Sequence, residues 1–148
     1  MHSISMIQLE LAQQLIHVGR EKALAIDSPS NLAVVDAYGF LLTHIRMDGA
    51  QLPSIEHSIN KAYTSALFKK STEALKQLSE PDGELYGLNL TLNQRVIVFA
   101  GGLPLLLNDD VVGAVGVSGG TAEQDQCIAQ SMQDYFNHLQ QQHNESNQ

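Results

Sequence analysis

The chain has 148 residues, 43% of them hydrophobic and only 16% charged, which fits one globular domain and excludes a wholly disordered chain. Eight Lys and Arg against sixteen Asp and Glu leave a net charge of -8, which disfavours nucleic acid and anionic membrane surfaces as partners. A single cysteine, Cys127, excludes an internal disulfide framework.

The N-terminal residues Met1-His2-Ser3-Ile4-Ser5-Met6 lack the basic and apolar regions of an export signal. No apolar run approaches the roughly 20 residues of a membrane helix, so the expectation is a soluble, cytoplasmic protein. Sparse charge points to a surface partly covered by copies of itself, hence a homo-oligomer.

Taken in chain order, Leu11, Leu15, Gly19 and Ala23, with Ala12, Ile16 and Ile26 beside them, recur at helical spacing and predict a helix over 7–26. Asp27-Ser28-Pro29-Ser30-Asn31 stops it. Leu32–Asp36 reads as a buried strand and Phe40–Arg46 as a second, with Gly39 supplying the positive φ of the hairpin between them. Pro53-Ser54 opens a long helix with the stripe Ile55, Ile59, Ala62, Ala66 and Leu67, and Ser71-Thr72 caps a shorter one through Leu78.

Glu80-Pro81-Asp82-Gly83 marks a loop. Arg95–Phe99, dense in β-branched residues, predicts a strand, as do Leu103–Leu107 and Val111–Val117, the last two joined by a turn at Asn108-Asp109-Asp110. A final helix runs from Thr121 to about Leu139, and residues 140–148 read as a flexible polar tail after a single domain over 1–139. The order is α-β-β-α-α-β-β-β-α: an α+β fold with a five-stranded antiparallel sheet flanked by helices.

Three glycine-bearing segments carry the chemical signals. Arg46-Met47-Asp48-Gly49-Ala50 offers a guanidinium fork and a carboxylate to a ligand, or an Arg–Asp pair that fixes the turn. Gly101-Gly102 admits a close backbone or flat ligand, or simply bends the chain. Ser118-Gly119-Gly120-Thr121 leads into a helix whose first N–H groups could hold an anion, although Thr121 and Gln124 also have capping-box spacing. Lys61 and Thr64, one helical turn apart, could present an amine and a hydroxyl to the same ligand, or face solvent.

Several chemistries lack support. The glycines spell neither a phosphate-binding loop nor a dinucleotide fingerprint. Gly116-Val117-Ser118-Gly119-Gly120 matches a nucleophile elbow by letter, but an antiparallel strand is the wrong setting for one. Cys127 falls inside the last helix, where burial is the default. The histidines form no zinc spacing, so no metal site is expected; a single axial haem ligand would leave no spacing signal, which keeps His17, His44 and His57 as candidates.

Together, Val35-Asp36-x-x-Gly39, Arg46-Met47-Asp48-Gly49-Ala50, Lys61-Ala62-Tyr63-Thr64, Gly101-Gly102-Leu103-Pro104, Gly113–Gly120 and Glu123-Gln124-Asp125 resemble the GlcG/HbpS family, which includes the C-terminal domain of PduO-type proteins. The resemblance covers residues 5–139, and Leu85-Tyr86-Gly87-Leu88 with Gln94-Arg95 is most similar to the diol-utilisation branch. It implies a profilin-like, five-stranded domain that assembles into dimers or larger rings, haem binding in some members, and association with glycolate, glycerol or propanediol catabolism. No adenosyltransferase domain of the kind that accompanies some PduO proteins is expected here, so corrinoid adenosylation is not carried over from the resemblance.

These readings give a small-ligand binding protein whose pocket is shared between subunits. Arg46 and Asp48 anchor the ligand, Lys61 and Thr64 face it, and Gly101, Gly102, Ser118, Gly119 and Gly120 contact it by backbone. The alternatives are an enzyme for a small hydroxy acid or aldehyde, with Asp48 or Lys61 moving a proton, and a structural accessory subunit.

Overall fold

Small side chains let a helix lie unusually close to the sheet. Ala33 on β1 (Asn31–Asp36) and Ala114 on β4 (Asp110–Ser118) meet Ala62 and Ala66 of α2 (Pro53–Phe68). At Gly116 a Cβ would collide with the Ser58 carbonyl and lie 2.6 Å from Ala62 N. The structure, a computed structural model, describes residues 6–146; the readings made for His2 and its neighbours, and the last two residues of the polar tail, lie outside that range.

β1 and β4 are the inner strands of a four-stranded antiparallel sheet in the order β2-β1-β4-β3, with β2 (Leu41–Arg46) and β3 (Gly102–Leu107) at the edges. Asp36 Oδ1 accepts from Tyr38 N (2.9 Å) and Phe40 N (3.1 Å), closing the β1–β2 hairpin around Gly39 at φ 87°. Asn108 and Asp109, both at positive φ, make the β3–β4 turn. Pro104 sits on the edge strand β3, where its missing N–H is tolerated.

The opposite face of the sheet carries the larger core. Leu32, Val34, Val115 and Val117 pack against α1 (Leu9–Ala25) and α4 (Ala122–Ser146), which cross at Gly19, where a Cβ would run into Leu32 and Met132. Pro53 opens α2, Ser71 Oγ accepts from Ala74 N to cap α3 (Thr72–Ser79), and Thr121 and Gln124 exchange capping bonds of 2.9 and 3.1 Å at the start of α4.

Two expectations are corrected. The sheet has four strands, not five, because Arg95–Phe99 does not join it: this segment crosses α2, where Ile97 N–H donates to Thr64 Oγ1 at 3.0 Å. The preceding Leu88–Leu90 and Leu92–Gln94 are short 3₁₀ turns, the second with all three residues at positive φ. The last helix continues past Leu139 to Ser146: its buried stripe ends at Phe136, after which Gln- and Glu-rich sequence extends the helix without a core-facing signal.

Candidate functional site

Two groups of the expected site residues form, in different places. The first centres on Lys61, whose side chain is 0% exposed. Such an ammonium survives only if its donors are satisfied. Here Nζ donates to Val117 O (2.8 Å) and to Asp125 Oδ2 (3.1 Å), and lies 4.9 Å from the centre of the Phe99 ring. Asp125 Oδ1 accepts from Gly120 N at 2.9 Å, so the pair ties α2 to the turn that starts α4. Burial pushes the Lys61 amine below its usual pKa and the Asp125 carboxyl above its own; their mutual attraction opposes both shifts.

The glycines near this pair are packed against the chain itself. At Gly101, φ 125°, a Cβ would clash with the Val117 carbonyl and lie 2.8 Å from Lys61 Nζ; at Gly102 it would lie 2.6 Å from Lys61 O. A Cβ at Gly119 would meet Pro29 O at 2.6 Å, and one at Gly120 would strike Ser28 Oγ and Gln124 Oε1. Gly101 N donates to Gln126 Oε1 (3.1 Å) and Gly102 N to Thr72 Oγ1 (2.9 Å). Thr64 Oγ1 donates to Asn60 O (2.7 Å), and Ser118 is buried at the end of β4, opposite Asn31.

The second group is open. Arg46 and Asp48, at the exit of β2, line a cavity of about 470 Å³ together with His17 and Arg20 of α1, against apolar walls that include Leu24 and Ile45. His17, Arg20, Arg46 and Asp48 are all exposed. The i, i+3 spacing of His17 and Arg20 puts both on the α1 face turned towards β2. No hydrogen bond engages the His17 ring among the described residues. Lys61, Thr64, Gly101, Gly102, Ser118, Gly119 and Gly120 do not line this cavity. Within one chain, therefore, Arg46–Asp48 and Lys61–Ser118 do not meet in a single hollow.

The other two histidines stand apart. His44, opposite Ala33 in the ladder, has a buried Nε2 without a hydrogen-bond partner, and burial, with the Arg46 charge second, holds its pKa below 6.5. His57 packs edge-on against Phe99, ring centres 5.8 Å apart.

The sequence reading missed Asp125, Arg20 and Phe99. An acid in the first turn of α4 behind Gly119-Gly120 is a signal for Asp125, but nothing local names Lys61 as its partner. Cys127 is exposed rather than buried, beside Glu73 and Glu123, because α4 buries the Ile128, Ala129, Met132 and Phe136 stripe instead.

Residues 7–134 match the family described as haem degrading protein HbpS-like. An uncharacterized 15.0 kDa protein from the dhaT-dhaS intergenic region of Citrobacter freundii is 43% identical over 136 residues, covering 92% of this chain and 96% of that protein. The crystal structure of Klebsiella pneumoniae protein ORFY superposes with a TM-score of 0.90 at 42% identity, covering 93% of this chain and 94% of that one. The crystal structure of a PduOC:heme complex superposes at 0.84 with 33% identity, covering 87% and 94%. With the match spanning the sheet, its helices and both residue groups, the chain belongs to the HbpS-like family.

Proposed function

We propose that this chain is a cytoplasmic, homo-oligomeric binding protein for haem, or for a similarly flat and anionic small molecule, serving diol or glycolate breakdown. The observation that carries this reading is the α1–β2 cavity: the His17 imidazole and two guanidinium groups at Arg20 and Arg46 share one opening whose lining is part polar and part apolar.

These residues fit haem by chemistry. An imidazole is a common axial ligand of haem iron. Guanidinium forks pair with carboxylates such as propionates. Leu24 and Ile45 offer apolar surface beside a porphyrin, with Ile16 and Met47 buried beneath them in the core. The lining holds two guanidinium groups against one acid, Asp48, while Glu21, 3.6 Å from Arg20 and outside the lining, offsets that excess and leaves Arg46 as the main anchor for a carboxylate. Haem, when bound, supplies a redox-active iron; the chain's own part is to bind the ring edge, orient it and shield one face from water.

The titratable groups of this cavity are exposed, which gives proton transfer no enclosed site and leaves the enzyme reading unsupported there. Support for binding also comes from the solved relative described as a PduOC:heme complex. Among the described residues, no helix is long and apolar enough to cross a membrane.

Titration of the purified chain with haemin tests the proposal. A saturable Soret shift with fixed stoichiometry is expected, and a linear, unsaturable absorbance identical to free haemin would overturn it.

A further inference from the structure

Val96-Ile97-Val98-Phe99 has the composition of a buried strand, yet within one chain it has no strand to pair with. Ile97 N–H is taken by Thr64 Oγ1, while the N–H groups of Val96, Val98 and Phe99 have no partner among the described residues. Around the same segment stand Tyr86, 70% exposed, Leu90, 66% exposed, and the half-exposed Leu92 and Phe99. Leu90 and Phe99 line one shallow hollow with Val96, Ile97 and Val98.

This arm is not a loose loop. Arg95 is stacked over the Tyr63 ring at 3.6 Å and donates from Nε to Asn60 Oδ1 at 3.1 Å, so its base is fixed to α2. Just before it, Leu92, Asn93 and Gln94 hold φ of 52°, 58° and 62°, a left-handed run that non-glycine residues rarely adopt. Strain and exposed apolar groups together on an anchored segment mark a place shaped for contact.

We infer that residues 85–99 form an interface with a second copy of this chain, in which the accessible Val98 and Phe99 find backbone partners. The inference rests on the homo-oligomer reading above and deepens it by placing the contact. Charge identifies the occupant. The chain carries a net -8, so most approaches of two copies bring like charges together. The arm from Leu85 to Phe99 contains one charged residue, Arg95, and that one is folded back onto its own α2. Two copies can therefore meet along the arm itself with little charge between them, the exposed acids Glu80, Asp82 and Glu84 lying ahead of it, and an apolar, strand-like segment complements itself.

The test is sedimentation of the full chain over a range of concentrations, combined with hydrogen exchange at Val98 and Phe99. Wild type is expected to self-associate and to protect both amides as concentration rises. The variant carrying Leu90→Asp and Leu92→Asp is expected to weaken self-association by about a hundredfold and to lose that protection. Tyr86→Asp, at the most exposed site, serves as a second variant if the first has an altered far-UV spectrum. Assembly that persists undiminished in the variants, with both amides unprotected in wild type, would overturn this interface while leaving the homo-oligomer intact. A monomeric wild type at all concentrations would overturn both.

Discussion

Lys61 Nζ lies 3.1 Å from Asp125 Oδ2, and the two residues are 64 positions apart in the chain. With Val117 O and the Phe99 ring completing the shell of the ammonium, this pair joins the helix on one face of the sheet to the start of the helix on the other.

Breaking it one-sidedly strands a buried charge. Lys61→Met is expected to cost about 3–5 kcal/mol in chemical denaturation at neutral pH, because Asp125 is left unpaired. Adding Asp125→Asn is expected to recover part of that loss, since the amide oxygen can still accept from Gly120 N. The pH dependence follows. Burial already raises the Asp125 pKa, and Lys61 opposes the rise, so its removal raises it further. The folded Lys61→Met chain then takes up a proton before the unfolded one does. Its deficit relative to wild type should therefore shrink as pH falls through the raised pKa towards 3.8.

Glycine substitutions separate backbone conformation from crowding. Gly87, φ 87°, has nothing within 4 Å of the position a Cβ would take, whereas Gly101, φ 125°, faces the Val117 carbonyl and Lys61. Gly87→Ala is expected to cost about 1 kcal/mol. Gly101→Ala is expected to exceed about 2 kcal/mol. Equal losses in thermal or denaturant unfolding would show that the crowding at Gly101 is relieved at no cost.

His44 sets an acid limit. Its folded pKa is lowered, first by burial and then by Arg46, so below 6.5 the unfolded chain binds a proton that the folded chain refuses. Stability should fall as pH drops from 6.5 through the lowered pKa. His44→Leu also removes the unpartnered Nε2 and should flatten that part of the stability–pH curve. An unchanged slope would show that His44 is not its source.

Much of the fold was legible because local signals and packing agree. Leu15, Gly19 and Ala23 are the buried stripe of α1, Pro53 and Ser71 start helices, and Gly39 turns the first hairpin. Arg95–Phe99 misled because β-propensity reports side chains that suit a pleated surface, not whether a neighbouring strand exists. The Lys61–Asp125 pair was invisible because only the fold brings its members together. Arg46 and Asp48 come from one motif; the structure adds Arg20 and sets the candidate His17 beside them, from a helix nearly thirty positions earlier, although the exposed, off-stripe place of His17 gave no sequence reason to rank it above His44 or His57.

If guanidinium groups hold the carboxylates of the ligand, Arg46→Ala should weaken haemin binding by about tenfold at low salt, and by less as salt is raised. Unfolding midpoints should stay near wild type, since Arg46 is exposed at the sheet edge.

The most direct measurement is the Soret and α/β-band spectrum of haemin-titrated wild type beside His17→Ala and His57→Ala. The spectrum and affinity should change with His17→Ala and remain those of wild type with His57→Ala. Wild-type spectra and affinity in His17→Ala would contradict the assignment of the α1–β2 cavity as the ligand site.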